Sequence, residues 1–427
     1  MIAVNLPEAR CPRVIAERDM AQREERMRTT DPWRRVAGGA GLLSPDGHIA
    51  PTIFAEMSAL AARTGAINLG QGFPDEDGPE AVLAAARDAI SAGVNQYPPG
   101  RGNPVLLEAL ARHTQRFSGR TLDPGSEILV TAGATEALAA TLLALVQPGD
   151  EVVTFEPYYD AYGGLIALAG GRHVGVPLRF PDFQPDPEDL RRAINDRTRI
   201  ILINDPHNPT GTVFSAETRS LLVELAEQHD ALLVTDEVYE HLRFDGAHVP
   251  LACVPGARER TITISSAGKT FNTTGWKIGW ALGPAALITA ITTVKQYLSY
   301  VNGAPFQPAI AVGLDLPDAF FHTTAATVER RASLLGNGMR DVGLEVAPCR
   351  AGYFLVADVT SIGATDGEQF CRELPSRAGL VAIPVTAFVS PERRADYAGL
   401  VRFAFCKRDE VLEEAVARLR SLSGGVR

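Results

Sequence analysis

Ala231-Leu232-Leu233-Val234-Thr235-Asp236-Glu237-Val238-Tyr239 is an apolar run of strand length that ends abruptly in two carboxylates. A strand with one wet face alternates polar and apolar side chains; this one does not, so it reads as a strand buried on both sides. Four other runs share that character: Glu127 to Thr131, Glu151 to Phe155, Ile200 to Asn204 and Thr261 to Ser265, with longer helical patterns between them. The alternation predicts an α/β fold whose large domain is a mainly parallel sheet covered by helices on both faces. Open sheets of this kind bind ligands beyond the carboxyl ends of their strands, so the residues just past each run are the candidate site.

Four strand ends carry chemistry. After Glu127 to Thr131 comes Ala132-Gly133-Ala134-Thr135-Glu136-Ala137-Leu138, a small-residue turn opening a helix, whose first N–H groups and Thr135 hydroxyl suit a phosphate, although small residues there also simply permit tight packing. After Ile200 to Asn204 comes Asp205-Pro206-His207-Asn208-Pro209-Thr210-Gly211, either an ordinary turn or an Asn208 amide held rigidly between two prolines. Asp236 and Glu237 end the third run. A carboxylate there either caps a helix or faces a cation or donor that keeps it ionised. The last run leads through Ser265 and Ser266 to Ala267-Gly268-Lys269, with Lys277 eight positions on. A lysine at a strand end is commonly a surface residue, but here it shares a crevice with an acid, two hydroxyls and an anion-binding turn. Phosphate donors, an acid and an amine able to form an imine are what pyridoxal phosphate requires: the amine as Schiff base, the acid on the pyridine nitrogen. No His or Cys stands in a metal-ligand spacing, so no metal is expected.

Composition narrows the partners. The 427 residues are 45% apolar and 22% charged, which excludes disorder, collagen and coiled coil. A net charge of -10 opposes binding to nucleic acid or anionic membrane, and with no helix-turn-helix pattern it disfavours a DNA-binding regulator. No apolar run is long enough to span a membrane. Five scattered cysteines, Cys11, Cys253, Cys349, Cys371 and Cys406, fit a reducing cytoplasm rather than a disulfide framework. Residues 1–36 hold eight arginines but also six acids and lack an apolar signal-peptide core, so they are expected to be a mobile N-terminal arm. Residues 37–75 are expected to pair with 321–427, where a charged helix near Thr327 to Val342 precedes strands at Tyr353 to Val359 and Leu400 to Phe405. Together they make a smaller α+β domain beside the large domain at 76–320.

Taken together, Asn208-Pro209-Thr210-Gly211, Asp236-Glu237-Val238-Tyr239, Ser265-Ser266-Ala267-Gly268-Lys269-Thr270-Phe271 and Thr274-Gly275-Trp276-Lys277-Ile278-Gly279-Trp280 closely resemble the class I aminotransferases of the aspartate aminotransferase fold, fold type I. The likeness runs from about residue 50 to the end. Asn68-Leu69-Gly70-Gln71-Gly72-Phe73-Pro74, Asn95-Gln96-Tyr97 and Phe403-Ala404-Phe405-Cys406-Lys407 are similar to the branch of kynurenine aminotransferases, glutamine transaminases and cysteine-conjugate β-lyases. Phe54-Ala55-Glu56-Met57, Lys295-Gln296-Tyr297-Leu298-Ser299-Tyr300 and Cys406-Lys407-Arg408-Asp409 resemble succinyldiaminopimelate aminotransferases more closely.

The resemblance implies pyridoxal 5'-phosphate as cofactor and assigns roles. Lys269 carries the cofactor and then moves the α-proton. Asp236 pairs with the pyridine nitrogen, Asn208 and Tyr239 bond the phenolic oxygen, and Tyr159 stacks on the ring. Gly133, Ala134, Thr135, Ser266 and Lys277 hold the phosphate, joined by Tyr97 from a second subunit of a homodimer. Arg402 forks onto the substrate α-carboxylate, with Gly72 and Asn208 beside it. The implied reaction moves an amino group between an L-amino acid and a 2-oxo acid; the alternative is a carbon–sulfur β-lyase, which shares the first proton loss. Two departures bear on specificity. Asp205 stands where Ser or Thr is expected, placing a carboxylate near the cofactor, and the segment Gly38 to Gly47 is expected to lie, mobile through its glycines, over the substrate entrance.

Overall fold

The computed structural model describes residues 31–44 and 46–425. The five apolar runs are all strands, at Ile128–Thr131, Glu151–Glu156, Thr198–Asn204, Leu232–Asp236 and Thr261–Ser266. Two more join them, Arg172–Pro177 and Gly279–Leu282. The order across this seven-stranded sheet is Ile128–Thr131, Gly279–Leu282, Thr261–Ser266, Leu232–Asp236, Thr198–Asn204, Glu151–Glu156, Arg172–Pro177. Gly279–Leu282 runs antiparallel to both neighbours, and every other pairing is parallel. Leu233, Val234, Ile201 and Ile203 are shielded from solvent by helices on both faces, each side chain contributing about 1.5–3 kcal/mol by its burial. The antiparallel strand is short and starts at a glycine in a polar stretch, which hid it from the periodicity.

A second sheet of four antiparallel strands, Ile383–Pro384, Leu400–Ala404, Phe354–Asp358 and Glu345–Val346, lies in the C-terminal part. Ile67–Asn68 pairs in parallel with Leu380–Val381, tying residues before 76 to the C-terminal part. One apolar cluster accordingly joins Met57, Ala61 and Leu69 to Leu335, Phe370 and Phe403.

Two expected limits differ from the structure. Helix Asp318–Asp341 crosses the limit at 320, because its first turn buries Phe321 in the cluster of Leu314 and Phe271 while its later turns bury Val328, Leu335 and Met339 in the other. Of the expected arm 1–36, residues 1–30 lie outside the described residues, and Pro32–Gly39 is a helix begun by Pro32 at its first position. That helix crosses helix Ala161–Ala169 through glycines: a Cβ on Gly39 would lie 2.6 Å from the Gly163 carbonyl oxygen, and one on Gly163 2.1 Å from that of Gly39. Gly39 therefore serves close helix packing. Ser44 spends its hydroxyl on Asp46 and on the His48 carbonyl, closing a turn.

Candidate active site

The carboxyl ends of the parallel strands and the start of helix Gly133–Leu145 enclose a cleft of about 190 Å³. Its walls include Gly133, Ala134, Thr135, Tyr159, Asn208, Asp236, Tyr239, Ser266, Lys269 and Lys277. Alternation along Thr261–Ser266 splits its two serines: Ser266 faces the cleft, while Ser265 turns the other way and donates to Glu240 at 2.7 Å.

Asp236 sits at the floor. Burial raises its carboxyl to about 6, although the Tyr162 hydroxyl, the Val238 N–H and the charge of Lys269 all act to lower it. Tyr162 donates to Asp236 Oδ2 at 2.8 Å, and Asn204 Nδ2 donates to the Asp236 carbonyl at 2.8 Å. The sequence reading missed both residues. Tyr162 could have been found, since it stands three positions after Tyr159, in the first turn of the helix that follows it.

Lys269 is half-buried at the cleft, and desolvation of its ammonium there lowers it below the usual lysine range. Its Nζ donates to the Gly72 carbonyl at 2.9 Å, and the Tyr353 hydroxyl, also missed, holds the Lys269 carbonyl at 2.7 Å. Gly72 thus contributes a carbonyl to the site.

Helix Gly133–Leu145 presents the N–H groups of its first turn to the cleft. Gly133 has φ +76°, and a Cβ there would stand 3.1 Å from Lys277 Nζ, so only glycine lets the turn and the lysine meet. Lys277 itself has φ +54°. Two amide donors, a hydroxyl and an ammonium on one small cradle match the donor set of a phosphate monoester.

Arg402 lies on Leu400–Ala404, inside the molecule. Its Nη1 donates to Asn208 Oδ1 at 3.1 Å and its Nη2 to the Gly70 carbonyl at 2.8 Å, while Nε has no partner. Phe354 and Phe388 cover its faces at 3.9 and 4.4 Å from the ring centroids. Burial pulls the guanidinium down to about 10. A buried cation with no carboxylate and a free fork edge is a site for a ligand carboxylate. Asn208 spends its oxygen on Arg402 and its N–H on Asn204 Oδ1 at 2.7 Å, leaving Nδ2 to donate into the cleft.

One expectation comes out differently. Asp205 does not line the cleft: Arg219 clamps its Oδ2 from Nε at 2.9 Å and Nη2 at 2.6 Å, and Phe214 N–H donates to Oδ1 at 3.2 Å. Its charge is neutralised behind the strand and reaches no substrate. Tyr97 stands away from the cleft walls of its own chain, with 82% of its surface exposed. Among the described residues no group of three or more His, Cys, Asp or Glu could hold a metal ion, and no helix is long and apolar enough to cross a membrane.

The family model for aminotransferase class I and II matches residues 64–419, a span holding every one of these groups. The chain belongs to the class I and II aminotransferases. This aminotransferase is 52% identical over 384 residues to the probable N-succinyldiaminopimelate aminotransferase of Mycobacterium tuberculosis, covering 88% of this chain and 96% of that one. It is 38% identical over 375 residues to the methionine aminotransferase of Escherichia coli, covering 87% and 96%. A solved structure of the M. tuberculosis N-succinyldiaminopimelate aminotransferase superimposes with a TM-score of 0.84 over 87% of this chain and 97% of that one. Fold type I, expected from the motifs, is therefore the fold. The aminotransferase is an enzyme of a class that works with pyridoxal phosphate and moves amino groups between small molecules.

Proposed function

We propose that pyridoxal 5'-phosphate binds in the 190 Å³ cleft and that the enzyme takes an amino group from an L-amino acid and returns it to a 2-oxo acid. The observation that supports this most is that two buried groups without an ion-pair partner among the described residues, Asp236 and Arg402, both act electrostatically on Lys269. A protonated pyridine nitrogen satisfies the first and a substrate α-carboxylate the second. When bound, the cofactor serves as an electron sink for the carbanion left by loss of the α-proton.

Each residue then has a task. Asp236, steadied by Tyr162, holds the proton on the pyridine nitrogen. Ala134, Thr135, Ser266 and Lys277, with Gly133, would hold the phosphate, and Tyr159 would stack on the ring. Asn208 Nδ2 and the Tyr239 hydroxyl donate to the ring oxygen; burial keeps Tyr239 protonated and so able to donate. Arg402 fixes the α-carboxylate, which orients the α-hydrogen toward Lys269. Burial favours the neutral amine of Lys269, the form that would accept this proton and deliver it elsewhere. Tyr97 completes the phosphate site of a second subunit, making the working form a homodimer, and the scattered cysteines and acidic balance fit the cytoplasm.

For the substrate, a cleft of about 700 Å³ adjoins Phe54, beside Arg402, and Asp160, next to Tyr159. Gly38 to Leu42, Thr386 and Arg393 border it, so the N-terminal segment does reach the rim. Such room suits a long side chain, and with the mycobacterial relative at 52% identity we propose an N-acylated diamino acid of the N-succinyldiaminopimelate kind. The test is mass spectrometry of products from N-succinyldiaminopimelate, methionine, kynurenine, glutamine and a cysteine S-conjugate, with and without 2-oxoglutarate. Glutamate formation that depends on 2-oxoglutarate and is fastest with N-succinyldiaminopimelate is expected. Preference for a short side chain would overturn the substrate, and pyruvate with ammonia from the conjugate alone would favour the lyase. Borohydride reduction and peptide mapping should leave the cofactor on the peptide holding Lys269; label on Lys277 would overturn the assignment.

A further inference from the structure

The segment Asp236–His241 has two functional faces. Asp236 and Tyr239 line the cofactor cleft, whereas Glu237, Glu240 and His241 face a separate cavity of about 120 Å³ on the opposite side. Phe117, Phe321, Trp280 and Leu110 form an apolar part of its wall, polar groups make up much of the rest, and exposed Gly246 and Ala247 border it.

Its polar groups are unevenly paired. Glu237 is fully engaged: His248 Nε2 lies 2.8 Å from Oε2, and Thr235 Oγ1 and Leu251 N–H donate to Oε1 at 2.8 and 3.3 Å. Glu240 Oε1 accepts from Ser265, and burial holds its carboxyl up near 7, so it is readily neutral and able to donate. His113 and His241 meet through their Nε2 atoms at 2.7 Å, and burial keeps both from protonating. Arg120 is the exception. Only 8% of its surface is exposed, its side chain makes a single long 3.4 Å hydrogen bond from Nη1 to Thr263, and its Nε has no partner. The His248 side chain is 7% exposed, and its Nδ1 also lacks a partner. A buried guanidinium costs stability unless its donors are met; Glu237 and Glu240 favour its charge through space, but among the described residues no carboxylate pairs with it directly.

We propose that this cavity is a second ligand site, taking a small monocarboxylic acid whose carboxylate sits on Arg120 and His248 and whose apolar tail lies among Phe117, Phe321 and Trp280. A cavity lined by apolar side chains at roughly 150 Å³ accepts a six-carbon ring, so an acid of four to six carbons is the size class. The site is independent of the transamination reading and of its substrate, since it shares no side chain with the cofactor cleft. Its occupant touches the back of the segment that aims Asp236 and Tyr239, which makes a carboxylic acid an effector rather than a substrate there.

Isobutyrate is the probe, with isobutyramide as its uncharged match, measured by ligand-observed NMR titration of the holoenzyme. Because Arg402 also takes carboxylates, the decisive comparison is made in Arg402→Gln holoenzyme. Saturable isobutyrate binding should persist there, isobutyramide should bind at least about tenfold more weakly, and Arg120→Gln added to Arg402→Gln should weaken isobutyrate at least about tenfold, the worth of a charged hydrogen bond. Ala325→Phe, which adds bulk at another wall residue and leaves Arg120 itself unchanged, should block it too and covers the case in which Arg120→Gln fails to fold. Loss of all saturable binding in Arg402→Gln alone, binding that survives both Arg120→Gln and Ala325→Phe, or equal affinity for the amide would each overturn the site.

Discussion

Asp236 shows how a functional residue opposes stability. Its carboxyl has an ordinary value near 3.8 in the unfolded chain and about 6 in the fold, raised by burial. A group raised in this way contributes stability below pH 3.8 and loses it as pH rises through 6, a penalty of about 3 kcal/mol at neutral pH. Apoprotein carrying Asp236→Asn should therefore melt higher than wild type above pH 6 and converge with it near pH 4, as followed by circular dichroism. The same variant loaded with cofactor should turn over about a hundredfold more slowly, because an amide cannot hold the nitrogen's proton. A variant that is neither more stable nor slower would make the carboxylate a mere structural cap. Arg402 poses the complementary test. Arg402→Lys keeps the charge but loses the fork, so KM for amino acids should rise about tenfold or more, while amines without an α-carboxylate should be poor substrates of wild type. Equal kinetics on both substrate types would remove Arg402 from the site.

At the scale of elements, the helices Pro32–Gly39 and Ala161–Ala169 act as a unit. The second carries Tyr162, whose hydroxyl holds Asp236, and the first presses on it at the Gly39–Gly163 crossing. Gly39→Val places branched carbons where backbone now lies 2.6 Å from an ideal Cβ, an overpacking worth about 1–3 kcal/mol. The expected result is a lower melting temperature together with several-fold weaker cofactor affinity, measured by absorbance titration of the apoprotein. Weakened melting with unchanged affinity would show that the crossing is structural and does not reach Asp236. This packing was illegible in the sequence, where Gly38 and Gly39 suggest a loose loop. A glycine that frees a loop and a glycine that admits a neighbouring helix are identical until the neighbour is placed.

For the whole molecule, Tyr97 and Tyr297 are 82% and 86% exposed, with Tyr300 stacked edge-on against Tyr97. Large aromatic side chains left bare in one place mark a surface for a partner. The homodimer reading predicts complementation. Lys269→Ala and Tyr97→Ala should each be nearly inactive, but after mixed refolding a hybrid dimer has one intact site, returning about a quarter of wild-type activity in an equimolar mixture. No recovery, or a single-chain mass in light scattering, would place Tyr97 outside the site.

The strand runs and the polar residues at their carboxyl ends were legible because a buried strand announces itself by composition and its carboxyl end is where such sheets carry ligands. Asn208, Asp236, Ser266 and Lys269 could thus be named as candidates before any contact was known, and the likeness of their motifs assigned their roles. The sequence alone determined the family and the fold type. Tertiary structure decided the electrostatics. Asp205 and Asp236 both stand at the ends of apolar strands, but Arg219, fourteen positions on, neutralises one, while Tyr162, from a helix 74 positions away, steadies the other and leaves it charged toward the cleft. Whether a buried charge is spent or available depends on what lies across from it, and long-range packing supplies that neighbour.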